Sequence, residues 1–226
     1  MKRLLVFSTI VAVVFGASLF AFAAGNTVDI VSYMGLNPGQ WSISKLTDSC
    51  TGNTSQQARV VVKGQNGQIL VKWYDKDGDN WVFDSSDVYR VSSTAFYFIG
   101  SNDGQDSWTF VPKITLPLTM KLNVPILYKG ITKNQRTGEK LPFAAIFMIT
   151  QKGITVTTEA GTFNNCIQIQ SYTYSAGKSR ESTALTAPGM SDVMEWVSKN
   201  KDTSESDVNQ NAFKSEIIQF GNSTIP

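Results

Sequence analysis

The sequence predicts an all-β, antiparallel protein that works outside the cytoplasm. Three observations carry that prediction. Apolar and polar residues alternate with a period of two in segment after segment, as in Ile69, Val71 and Trp73 or Ile167 and Ile169. Turns rich in Gly, Asn and Asp separate these segments, and Asn66-Gly67 is a strong hairpin signal. The chain opens with Met1-Lys2-Arg3 and an apolar run from Leu4 to Phe22, and Ala21-Phe22-Ala23 supplies the small residues of a signal-peptidase site.

Cleavage after Ala23 leaves residues 24–226 as one β-rich domain, since sandwiches and barrels of roughly 200 residues commonly share one core. An uncleaved signal anchor is the alternative, because the apolar run is long enough to span a bilayer. No cysteine lies near the cut to carry a lipid anchor. The leader also holds the net charge: the chain has 20 Lys+Arg against 18 Asp+Glu, and losing Lys2 and Arg3 balances them. A neutral protein without a basic run gives no electrostatic reason to expect nucleic acid, or a membrane beyond the signal segment.

The elements follow in order. Val28 to Met34 reads as a short strand or helical turn, Gly35-Leu-Asn-Pro-Gly39 as a turn, and Trp41-Ser-Ile43 as a strand. Val60 to Val62 and Gln68 to Tyr74 flank the Asn66-Gly67 hairpin. Trp81 to Phe83, Val88 to Val91, Ala95 to Ile99 and Trp108 to Val111 continue a meander. Pro112, Pro117 and Pro125 then punctuate a stretch that proline confines to edges, bulges or loops. Phe143 to Thr150 and Ile154 to Thr158 lead into a hairpin corner at Ala160-Gly161, where a type II turn wants a positive φ. Its return arm reaches about Tyr174, Ala176-Gly-Lys178 turns, and Glu181 to Thr186 follows. Ala187-Pro-Gly189 is another type II turn. Met190, Val193, Met194 and Val197 beyond it stand at i, i+3, i+4 and i+7, which predicts a helical face; a strand is the alternative. Lys199 to Asn211 is a polar loop, and Ala212 to Phe220 the last strand.

Thr155-Val-Thr-Thr-Glu-Ala-Gly-Thr-Phe-Asn-Asn-Cys-Ile-Gln-Ile, followed by Ala187-Pro-Gly-Met, resembles a pattern of exported bacterial proteins of unknown function: an AGTF-x2-C hairpin and then an APG turn. Thr115-Leu-Pro-Leu-Thr-Met-Lys-Leu resembles the segment that precedes the hairpin in that group, so the likeness covers about residues 110–220. Ser191 stands where the group prefers Gly, and an aromatic after the upstream segment is missing. The resemblance implies a single, strongly curved antiparallel sheet, a half-barrel or open barrel like those of periplasmic lipoprotein carriers, and a strand after Ala187-Pro-Gly. It implies no catalytic residues. A short helical or loop cover is expected from the segment after Pro188.

Composition removes much chemistry. The chain has no histidine, so Ser-His-Asp and Cys-His sites and imidazole-bound metals are excluded. Cys50 and Cys166, the only cysteines, are expected to form a disulfide in an oxidising compartment. In the chain-entropy model a loop of that length is worth about 4–5 kcal/mol. Two unrelated cysteines, with Cys166 a small buried apolar residue, is the competing reading. Asp75, Asp77 and Asp79 alternate as in an EF-hand loop, with Asp84 or Asp87 as further calcium ligands. Against calcium stand Asn80 and Ser86 in place of the loop's Gly and Glu, and a solvated hairpin turn explains the same residues. Glu159 and Glu181 are conceivable glycosidase carboxylates that nothing in the sequence brings together. Trp73, Phe96 and Phe98, covered by Met190 and Met194, are candidates to line an apolar cavity, against the plainer role of core packing. The expectation is an exported, non-enzymatic domain without cofactor that binds a lipid, another apolar small molecule or a protein partner. A calcium-bearing surface module and a carboxylate hydrolase are the alternatives.

Overall fold

In the computed structural model, which describes residues 26–175, 178–202 and 212–223, alternation becomes strand almost throughout. The chain runs β1 (Thr27–Asp29), a single 3-10 turn (Val31–Tyr33), β2 (Gln40–Asp48), β3 (Thr54–Lys63), β4 (Ile69–Asp77), β5 (Asn80–Val91), β6 (Ala95–Asn102) and β7 (Ser107–Pro117). It continues with β8 (Thr119–Lys121), β9 (Ile126–Asn134), β10 (Lys140–Thr158), β11 (Gly161–Ser175), β12 (Lys178–Thr186), β13 (Asp192–Asp202) and β14 (Phe213–Asn222). The signal segment and most of the polar loop fall outside the described residues.

The curved sheet is a closed barrel, not a half-barrel. Twelve strands, in the order β10-β11-β12-β13-β14-β2-β3-β4-β5-β6-β7-β9, close on themselves, with every neighbouring pair antiparallel. Two pairings make the closure. β14 pairs with β2 near the start of the chain, and β9 bridges β7 and β10. The sequence hides β9 because Pro125 precedes it and the prolines around it argue for loop. Closure removes both sheet edges, which an open barrel would leave unpaired.

The barrel is sealed from within by its own N-terminal segment. One core cluster joins Val61, Val71, Phe96, Leu116, Ile149 and Ile167 to Val28, Ile30 and Leu36. The first six come from β3, β4, β6, β7, β10 and β11, strands spread round the barrel, so they meet inside it. β1 pairs with β8 as a separate two-stranded ribbon, placing Val28 against Met120, both buried. The N-terminal segment is tied down at several points: the Gly189 amide donates to Ser32 O at 2.6 Å and the Tyr33 hydroxyl to Asn165 O at 3.0 Å.

The segment after Pro188 is strand, not helix. Gly189 has a positive φ of 73° and Met190 N donates to Ala187 O at 3.0 Å, as the turn chemistry predicts. A bulge follows: Thr186 pairs with Asp192 but Leu185 with Met194, so Val193 is an extra residue. The bulge breaks the period of two and gives a strand the apolar spacing of a helix. The cover expected from this segment comes from residues 27–36 instead.

Candidate functional site

Charged side chains stand on the inner face of the barrel, beyond the apolar cluster. On β3, Arg59 sits two residues from the inward Val61 and is 7% exposed. Its Nη2 donates to Met34 O at 3.1 Å and Gly35 O at 2.9 Å, so it fastens the N-terminal segment to the wall. Burial lowers its pKa from the usual guanidinium value, partly offset by Tyr89, Asp192 and Asp87 nearby. The guanidinium keeps its charge even so.

Asp87 and Tyr89 face the same way from β5, with Trp73 of β4 beside them. Arg59 pairs with Trp73 across β3 and β4, and Val71 with Asp87 across β4 and β5. The Trp73 indole N–H and the Tyr89 hydroxyl each donate to Asp87 Oδ2 at 3.3 Å. Burial pushes the Asp87 carboxyl up, and those two hydrogen bonds and Arg59 pull it back. Tyr89 is held well above the usual phenol value, chiefly by burial.

The third group is Asp192 of β13. Its Oδ1 accepts from the hydroxyl of the buried Thr186 at 2.7 Å. Burial, then the neighbouring Glu195, raise its carboxyl to about 6 against the pull of Thr186, Arg59 and Arg180. Asp192 keeps water-exposed surface although protein crowds round it. Glu195 is itself paired with Arg180 at 3.1 Å. Chemically the site offers carboxylate acceptors, one of which takes up a proton near neutral pH, beside two aromatic rings.

The structure divides the residues read from the sequence as an apolar pocket. Trp73, Phe96 and Phe98 share the inner wall, where Tyr89 stacks on Phe96 at 5.4 Å and on Phe98 at 4.9 Å. Phe96 is 1% exposed and packs into the core. Met190 and Met194 pack against a different cluster, Val156, Cys166, Ala187, Val193 and Ile217. The five therefore do not line one cavity.

Asp75, Asp77 and Asp79 are not gathered either, and no set of three metal-ligating side chains is found among the described residues. Asp75 accepts from Gln57 at 3.0 Å, Asp77 pairs with Asn80 in the ladder, and the Asp79 carbonyl accepts from Lys76. Asp75 and Asp77, two apart on β4, stand about 7 Å apart rather than converging, and Asp79 lies in the turn beyond. Glu159 forms an ion pair with Lys45.

The expected disulfide is absent: Cys50 and Cys166 are not bonded to each other. Cys166 is fully buried in the cluster with Ile217, which pairs with Ser44 of β2. From Ser44, β2 runs on to Asp48, about 13 Å at strand rise, before the turn that holds Cys50. A bridge needs Cα atoms within about 7 Å. Burial raises the Cys166 thiol, which fits the reading of a small apolar core residue.

Sequence reasoning missed Arg59, Tyr89 and Asp192, and took Asp87 only for a spare calcium ligand. A signal was present for one wall: Asp87, Tyr89 and Val91 alternate in register with inward residues.

The fold is similar to that of solved bacterial proteins. A Bacteroides fragilis protein described as exported, with a YmcC-like fold, superposes with a TM-score of 0.53 over 84% of this chain and 98% of its own, at 9% identity. A Parabacteroides distasonis chain provisionally named a lipoprotein gives 0.48 over the same shares at 10% identity. No family model and no curated protein matches the chain. At such identity the first likeness speaks for the fold alone.

The Asp192 carboxyl predicts a pH signature. Its folded value, about 6, lies above the value of about 3.9 expected unfolded. The folded state therefore binds more protons between those values, so this group's contribution to stability falls as pH rises from about 4 to 6 and is level above. Asp192→Asn keeps an acceptor for Thr186 and removes the titration. After discounting for the water Asp192 touches, the variant is expected to be more stable than wild type by about 1 kcal/mol at pH 7, or about 2–4 °C in Tm, and indistinguishable near pH 4. Denaturant melts of both proteins across that range measure it. A variant less stable at pH 7 than at pH 4, relative to wild type, would mean that the ionised Asp192 is a net stabiliser through Arg59.

Proposed function

We propose that this chain is an exported, non-enzymatic barrel that binds a small amphipathic molecule against the polar section of its inner face. The observation that carries the reading is Asp192, a water-exposed carboxylate on an inner face shared with Asp87, Trp73, Tyr89 and Arg59. A barrel serving only as a scaffold gains by filling such positions with apolar side chains, because even a hydrogen-bonded charge is costly to hold in a crowded interior. Trp73 and Tyr89 supply flat apolar surface. Asp87 and Asp192 only accept hydrogen bonds when ionised, so the ligand's head is a donor, an amine or a hydroxyl group. Export is supported by the Met1 to Ala23 pattern and by the description of the Bacteroides fragilis protein of similar fold as exported. Glu159, one of the two carboxylates conceivable for hydrolysis, is held in an ion pair with Lys45, which favours binding over hydrolysis.

Titration with single-chain amphiphiles, followed by tryptophan fluorescence, tests this. An amine-headed probe is expected to change the emission and to bind at least tenfold more weakly to Asp192→Asn. Trp73→Phe is expected to lose most of the signal. A fatty acid that binds as tightly as the amine, with no effect of Asp192→Asn, would take the ligand away from this site.

A further inference from the structure

The balanced net charge conceals strong segregation. Between Asp106 and Glu159 the chain carries Lys113, Lys121, Lys129, Lys133, Arg136, Lys140 and Lys152 against the single carboxylate Glu139. That stretch forms β7, β8, β9 and β10, three of which are adjacent barrel strands. On β9, Tyr128 and Thr132 are buried inward, so Leu127, Lys129, Ile131 and Lys133 face outward. Register extends this face: Leu127 lies beside Ile146 and Ile146 beside Tyr172, while Ile131 lies beside Val111. Leu127 is 51% exposed and Val111 48%, among the most exposed large apolar side chains described. Lys113 and Lys129, each two residues along the chain from Val111 and Leu127, are exposed, and Lys121 is exposed at the β8 corner.

We propose that this outer face, β7–β9–β10 with the β8 corner, docks on an anionic lipid bilayer. Exposed leucine and valine ringed by lysines and tyrosine suit the headgroup boundary, where apolar tips enter and ammonium groups reach phosphate. A soluble acidic partner would satisfy the lysines but give Leu127 and Val111 no apolar medium. Chain geometry points the same way. Leu122 N donates to Asn26 O at 2.9 Å, so the chain enters the barrel at the β8 corner. From Phe22 to Asn26 the backbone reaches at most about 14 Å. While the apolar run Leu4 to Phe22 is in a membrane, this corner is held at its surface. The lysines would keep it there after cleavage.

Co-sedimentation with lipid vesicles tests the proposal on the chain beginning at Ala24, which retains every described element. Binding to phosphatidylcholine vesicles containing phosphatidylglycerol is expected, with little binding to phosphatidylcholine alone and a fall as salt rises. The triple variant Lys113→Gln, Lys129→Gln, Lys133→Gln is expected to bind roughly a hundredfold more weakly. Leu127→Ser should weaken binding several-fold without altering the salt dependence. A control triple on other strands, Lys63→Gln, Lys72→Gln, Arg90→Gln, makes the same change in net charge and should bind like wild type. Circular dichroism confirms that all variants are folded. Equal binding to neutral vesicles, equal loss in both triples, or no vesicle binding overturns the proposal. So does retention on a soluble polyanion, sensitive to the first triple alone, without vesicle binding.

Discussion

Arg59→Leu is expected to lower stability by about 3–5 kcal/mol, the range for breaking a buried, hydrogen-bonded charge cluster by removing one partner. Three losses coincide. The carbonyls of Met34 and Gly35 lose their guanidinium donor in a place with little water. Asp87 and Asp192 lose the cation that pulls both carboxyls down, so both rise further. The N-terminal segment loses its tie to β3. With about 2–4 °C per kcal/mol for a domain of this size, Tm should fall by about 10 °C. Hydrogen exchange should locate the damage, with protection falling first at residues 28–36. Arg59→Lys keeps a charge but not the planar fork, and should fall between the two. A Leu variant within about 0.5 kcal/mol of wild type would mean that Arg59 does not hold the segment.

Gly35→Ala is the second large effect. A Cβ on Gly35 would stand 2.5 Å from the backbone C of Met190 and the backbone N of Ser191, and 2.8 Å from Met190 O. These are main-chain atoms of the turn after Pro188, so no side chain can swing aside. The φ of +52° adds the strain of an L-residue in the left-handed region, about 1–2 kcal/mol. Relieving the contact means separating the N-terminal segment from that turn, which also strains the Gly189 N to Ser32 O bond and the Gln40 bond to Gly189 O. We expect a loss of about 3 kcal/mol or more, in line with overpacking plus strain. Gly67→Ala is the control: its φ is +73° but nothing lies within 4 Å of the added Cβ. It should cost only about 1 kcal/mol. Equal losses in the two variants would mean that the close approach at Gly35 is not what the substitution disturbs.

Strands were legible wherever alternation was regular and the turn chemistry explicit. Asn66 and Gly67 take the positive φ values that their hairpin requires, 53° and 73°, and Gly161 is positive too at the β10–β11 corner. Two features escaped for physical reasons. A bulge at Val193 shifted the apolar phase until a strand carried helical spacing. Prolines flanking β9 disguised the strand that closes the barrel, and without it an open sheet was the natural inference. Closure is a long-range property, set by β9 finding β7 and β10 and by β14 finding β2, and local pattern carries no record of it.

The site was less legible than the fold. Trp73 was found because aromatic residues stand out in a strand, but its meaning lies in the bond from its indole to Asp87. Arg59 sits beside Val60-Val-Val62 and reads as a strand boundary, whereas the fold turns it inward onto the Met34 and Gly35 carbonyls. Asp192 lay within the apparent helix, between the apolar positions Met190 and Val193. Only the pairing of β12 with β13 sets it beside Thr186. Charged residues distant in sequence share this inner face only once the barrel has closed.

Native mass spectrometry of the protein purified from its own host decides whether the barrel carries such a ligand. A population heavier than the chain by one small molecule is expected, the molecule being released on denaturation and carrying an amine or hydroxyl head on an apolar body. That population should shrink sharply in Trp73→Phe and Asp192→Asn, both folded by circular dichroism. Bare chain mass in every preparation, or a bound molecule indifferent to both substitutions, would contradict it.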